Sequence, residues 1–77
     1  MHQVILYSRP GCHLCDVARE AILALRERLG FEFTEIDIEA DEELELGYGI
    51  RIPVVEVDGE EAFEVTVDAE RLAQMVS

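Results

Sequence analysis

Residues 4–15 read Val4-Ile5-Leu6-Tyr7-Ser8-Arg9-Pro10-Gly11-Cys12-His13-Leu14-Cys15, and this stretch decides the fold. Four apolar, partly β-branched residues predict a buried strand that stops at Ser8-Arg9-Pro10-Gly11. Beyond that turn, apolar side chains recur at Leu14, Val17, Ala18, Ala21, Ile22, Leu25 and Leu29, the spacing of one helical face, and Gly30 follows as a stop. The two cysteines of the chain therefore fall at a strand-to-helix junction, Cys12 at the turn and Cys15 one helical turn later.

Working outward, Phe31 to Ile38 alternates and then changes phase at Ile36, which predicts a second strand with a bulge or a curved end. Asp41-Glu42-Glu43-Leu44-Glu45-Leu46 predicts a helix of one or two turns, with Asp41 as cap, acids at the positive end of its dipole, and Gly47 and Gly49 ending it. Val54 to Val57, Asp58-Gly59 and Glu60 to Val65 predict a hairpin, because Asp-Gly tolerates the positive φ angles of a type I′ turn. Asp68 caps a last helix through Ala69, Leu72, Ala73 and Val76. The order is β-α-β-α-β-β-α. A right-handed first crossover makes the first two strands parallel and the hairpin is antiparallel, giving an α/β fold with a four-stranded mixed β-sheet flanked by helices.

With 77 residues the chain has room for one domain, spanning 1–77. Eighteen acidic residues against six basic ones, all of them Arg, leave a net charge of −12. Such a charge repels phosphate backbones and anionic lipid, so neither nucleic acid nor a membrane is expected as a partner. No apolar run approaches the roughly 20 residues that span a bilayer, and Met1-His2-Gln3-Val4 lacks the charged and apolar regions of a signal peptide, so a cytoplasmic protein is expected.

In a cytosolic chain a C-x-x-C pair is more often redox-active or metal-binding than structural. As a staple it is poor: closing so short a loop is worth about 2 kcal/mol, against about 3 for a loop of about fifteen residues. At a helix start, free N–H groups and the dipole stabilise a thiolate, which makes Cys12 the candidate nucleophile. Cys15, three residues on and on the same helical face, can attack a mixed disulfide formed there and is the candidate resolving thiol. Arg9 and His13 would lower the Cys12 pKa and Asp16 would raise it. Zinc would have only Cys12, Cys15, His2 and His13 as soft ligands, with Cys12 and His13 awkwardly adjacent, so no metal site is assigned. Arg51-Ile52-Pro53 precedes the strand at Val54, where proline is allowed at a strand's first residue and trans is the commoner X-Pro isomer.

Together, the strand Val4 to Tyr7, the segment Arg9 to Cys15, and Tyr48-Gly49-Ile50-Arg51-Ile52-Pro53-Val54-Val55 before Asp58-Gly59 resemble the glutaredoxin-like branch of the thioredoxin fold over essentially the whole chain. More closely, the chain is similar to small, poorly characterised bacterial and archaeal members. The resemblance implies Cys12 as the attacking and Cys15 as the resolving cysteine, with a redox-active disulfide between them and no other cofactor. It also implies a cis Pro53 facing them, an Ile52 backbone that pairs with a bound peptide or glutathione as an added strand, and Arg9 where family members place a Lys for a glutathione carboxylate. His13 in the central dipeptide would tune the thiolate.

Three departures stand out: Arg51 replaces the usual Thr, His13-Leu14 replaces the commonest Pro-Tyr, and Val65-Thr66 replaces a Gly-Gly pair while Asp68 is retained. Those glycines let backbone approach glutathione closely, which their loss here argues against. The expected function is a thiol–disulfide oxidoreductase, a monomer acting on protein or small-molecule thiols and disulfides, with glutathione or a reductase of the thioredoxin-reductase type as reductant. The alternatives are a metal or iron–sulfur carrier through Cys12 and Cys15, and a non-catalytic interaction module.

Overall fold

Side chains of β1 (Gln3–Ser8) alternate between two faces, Val4 and Leu6 joining one apolar cluster, Ile5 and Tyr7 the other. The computed structural model describes residues 1–77 and continues with α1 (His13–Leu29), β2 (Glu32–Asp37), a 3-10 turn (Ile38–Ala40), α2 (Glu42–Tyr48), β3 (Val54–Val57), β4 (Glu60–Glu64) and α3 (Ala69–Val76). The strands form one sheet in the order β2-β1-β3-β4, with β1 parallel to β2 and antiparallel to β3, and β3 antiparallel to β4. This is the thioredoxin-like α/β fold expected from the sequence, with a 3-10 turn added before α2.

Two apolar clusters hold the layers together. On one face Val4, Leu6, Val55 and Val57 pack with Ala18, Ile22 and Leu25 of α1 and Leu72 and Val76 of α3. On the other, Tyr7, Ile38 and Val54 pack with Ile5, Ile36, Leu44, Tyr48 and Ile52. The ends of the elements follow local chemistry. Gly30 adopts φ 70° and donates its N–H to the Arg26 carbonyl at 2.8 Å, a left-handed helix stop. Asp41 accepts from the Glu43 N–H, and Asp68 from those of Glu70 and Arg71. Asp58 and Gly59 both take positive φ, 52° and 87°, as a type I′ turn requires.

Four local expectations are corrected. The β1–β2 register runs unbroken from Gln3 opposite Glu32 to Ser8 opposite Asp37, so β2 has no bulge; the irregularity lies between Val55 and Glu56, in the β3–β4 pair. The phase change in β2 has another cause: Phe33 packs with the first cluster and Ile36 with the second, on opposite faces of the sheet. Strand β4 ends at Glu64, because Val65 turns to φ 68°. Gly47 lies within α2, and the buried stripe of α1 is centred on Cys15, Ala18, Ile22 and Leu25, leaving Leu14 and Val17 exposed at its edge.

Candidate active site

Pairing of Tyr7 with Val54 places Pro53 beside Ser8 at one end of the sheet, so the loop leading to Cys12 and the Ile52-Pro53 segment share that end. Cys12 is the N-cap of α1, in extended conformation (φ −89°, ψ 109°); its Sγ accepts the Cys15 N–H at 3.1 Å and its carbonyl accepts the Asp16 N–H at 3.1 Å. Cys12 and Cys15 form a disulfide with Cα atoms 5.2 Å apart. Their environments differ: Cys15 is wholly buried on the inward face of α1, whereas Cys12 is half-buried at the turn. An external thiol therefore reaches Cys12 first, and a thiolate there faces an N–H group and the positive end of a helix of 17 residues.

Pro53 is buried and its bond to Ile52 is cis. The main-chain N–H and C=O of Ile52 make no hydrogen bond within the chain, leaving one donor and one acceptor free for an extended ligand. The segment is tied from both sides. The Val65 N–H donates to the carbonyls of Pro53 at 2.8 Å and Arg51 at 3.0 Å. Arg51 donates to the Gly47 carbonyl at 3.0 and 3.2 Å, to Glu61 at 2.7 Å and to Glu64 at 3.1 Å, and its guanidinium lies 5.2 Å from the Tyr48 ring centroid. Tyr48 in turn stacks on Tyr7, with centroids 4.4 Å apart. Arg51, which departs from the family pattern, thus braces the proline loop against α2 and β4.

Around Cys12 the charges are largely paired. Asp16 accepts from Arg19 at 2.8 Å, so the acid nearest the cysteine turn is offset by a cation one helical turn on. The Arg19 fork also holds Glu35, which accepts the hydroxyl of the buried Ser8 at 2.6 Å. Bonds from Arg19, with help from Ser8, hold the Glu35 carboxyl below its ordinary range although its partial burial opposes this. These residues line a largely polar groove of about 330 Å³ with Arg9, Pro10 and Asp37, at the carboxyl ends of β1 and β2. Sequence reasoning assigns Asp16 a role but no partner; its i,i+3 spacing to Arg19 is the available signal.

Arg9 faces α2: its Nη2 donates to Glu45 at 3.0 Å and lies 3.4 Å from where a Cβ on Gly49 would sit, and its Nε is buried without an acceptor. The cation that the resemblance assigns to a glutathione carboxylate already holds one of the chain's own. His13 is exposed and its side chain is in none of the side-chain hydrogen bonds.

A four-stranded mixed sheet, a cysteine pair at the start of α1 and a cis-proline before β3 define a protein of the thioredoxin fold class. Within that class the chain belongs to the glutaredoxin-like domain family (DUF836), whose model matches residues 3–77. An uncharacterised Mycobacterium tuberculosis protein is 36% identical over 75 residues, covering 91% of this chain and 77% of that protein. A protein from X. campestris, solved by X-ray crystallography, is 40% identical, covers 92% of this chain and 91% of its own, and superposes with a TM-score of 0.76. A protein from Nitrosomonas europaea, 27% identical, superposes with a TM-score of 0.84 over 99% of this chain and 92% of its own. Thioredoxin from Halobacterium salinarum shares the fold at 22% identity, with a TM-score of 0.71 over 97% of this chain and 71% of its own. No helix is long and apolar enough to cross a membrane.

Proposed function

We propose that the protein is a thiol–disulfide oxidoreductase in which Cys12 is the nucleophile and Cys15 the resolving thiol. In the reducing direction the Cys12 thiolate attacks one sulfur of a substrate disulfide; that S–S bond breaks, a Cys12–substrate disulfide forms, and the departing thiolate takes a proton from water. Deprotonated Cys15 then attacks Cys12 Sγ, forming the intramolecular disulfide and releasing the second substrate thiol. Two electrons pass from the cysteine pair to the substrate, and a thiol-level reductant, glutathione or a reductase of the thioredoxin-reductase type, restores the dithiol. Running in reverse, the same steps oxidise a dithiol.

The observation that carries this reading is the asymmetry of the pair: an accessible cysteine capping a helix and a buried partner within bonding distance, beside an Ile52 backbone with unpaired polar groups. Ile52 and Pro53 form the wall against which the substrate chain lies, and His13, on the exposed side, tunes the thiolate. The test is turnover of a small neutral disulfide by the reduced protein. Cys12→Ser is expected to abolish it, and Cys15→Ser to stop it at a Cys12 mixed disulfide visible by mass. Unchanged turnover with Cys12→Ser would refute the assignment.

A further inference from the structure

Between the Arg9 side chain and α2 lies a groove of about 440 Å³ lined by Arg9, Glu42, Glu45, Leu46, Gly49 and Ile50. One wall stands three residues before Cys12 and the other ends two residues before Ile52, so each wall is joined by a short stretch of chain to one half of the proposed reaction site. Its apolar residues are almost fully solvent-exposed, Leu46 at 89% and Ile50 at 99%, and at i,i+4 spacing they lie on one side of the helix and its C-terminal turn. Neither belongs to either apolar cluster. Glu42, one turn before Leu46, makes no ion pair, while Glu45 holds Arg9.

We propose that this face docks protein substrates whose reactive cysteine is neighboured by apolar and basic side chains. The proposal rests on the oxidoreductase reading and names its substrate class. Charge decides between occupants. Two carboxylates and one guanidinium leave the groove with a net negative charge within a chain of −12. An anionic ligand must displace Glu45 from Arg9 and pass Glu42, whereas a cationic side chain finds Glu42 free. Glutathione, with two carboxylates and one ammonium, is the wrong charge; a second copy of this chain brings the same negative field. A basic, apolar peptide satisfies Glu42 and covers Leu46 and Ile50.

The test uses the full chain with dithiothreitol as reductant and three disulfides: bis(2-hydroxyethyl) disulfide, and two cyclic peptides that carry Leu beside each cysteine and differ only in flanking Arg or Glu. Each peptide rate is divided by its rate with dithiothreitol alone, which removes the effect of peptide charge on intrinsic disulfide reactivity. The corrected kcat/KM is expected to favour the Arg peptide by about tenfold at low salt, and to approach parity near 1 M salt as screening removes the attraction. Glu42→Gln is expected to reduce that ratio by about two- to fivefold, the range of one exposed charge pair. Because the ratio is read within each protein, a general change in Cys12 reactivity cancels; should the variant fail to fold, the salt dependence of the natural chain decides. A corrected ratio near one, a ratio indifferent to salt, or a concentration-dependent dimer burying Leu46 and Ile50 overturns the proposal. Turnover of the neutral disulfide alongside such a result leaves the oxidoreductase reading standing. Absence of turnover with all three removes both.

Discussion

Val65 is a β-branched residue held at φ 68°, at the corner that follows β4, and replacing it tests whether that corner is imposed by the fold. In the left-handed region a Cβ costs about 1–2 kcal/mol, which Val65→Gly recovers. Against this, glycine's extra freedom in the unfolded chain costs about 0.5–1 kcal/mol. The valine is 42% exposed, so losing it forfeits roughly half of a full burial, or about 1 kcal/mol. The sum is a change within about 1 kcal/mol of zero. Val55→Gly provides the contrast: that residue is fully buried and outside the positive-φ set, so the lost burial, the cavity and the glycine entropy add to about 3 kcal/mol. In a domain this small that is a fall in Tm of roughly 12–24 °C. Urea unfolding followed by far-ultraviolet circular dichroism, extrapolated linearly at constant slope, measures both. Destabilisation by Val65→Gly of more than about 2 kcal/mol refutes the reasoning, since no burial term at a half-exposed valine is that large.

Two further predictions concern pH. Glu35 has a folded-state pKa depressed below its ordinary 4.5, chiefly by the Arg19 fork, so its stabilisation is present above that value and is lost as pH falls through the folded pKa. Arg19→Gln should therefore flatten the acid limb of stability measured by urea midpoint, and an unchanged limb would count against the network. Tyr7 behaves oppositely. Burial first, and then the carboxylate of Glu56, push its pKa from 10.0 to about 12, so its contribution is complete below pH 10 and disappears as pH rises towards 12. An absorbance titration should show one tyrosine ionising late, and Tyr7→Phe should remove that late step; a late step that survives contradicts the assignment.

Much of the fold was legible because local chemistry and global packing agree. The helix start beside Cys12, the stop at Gly30, the Asp58-Gly59 turn and the caps at Asp41 and Asp68 all depend on residue type and short-range geometry, whereas the capping role of Cys12 itself appears only in the structure. The phase change in β2 was visible as a pattern but misassigned, because periodicity cannot say that Phe33 and Ile36 serve different apolar clusters on opposite faces. In the sequence Val65 reads only as a departure from glycine; its positive φ accompanies the N–H it gives to the Pro53 and Arg51 carbonyls, contacts more than ten residues away. For the same reason the Arg9–Glu45 pair, the Arg51 brace and the Tyr7–Tyr48 stack were not readable: each joins residues the fold alone brings together.

The central claim is that Cys12 and Cys15 form a working redox couple. Its most direct test is a titration of the protein against glutathione redox buffers, with thiols trapped by alkylation and each species weighed by mass spectrometry. The account predicts a reversible two-electron transition in the range of the superfamily, about −120 to −270 mV, with any glutathione adduct confined to Cys12. Thiols that stay inert across that range, or a bound metal that shields both from alkylation, would contradict it.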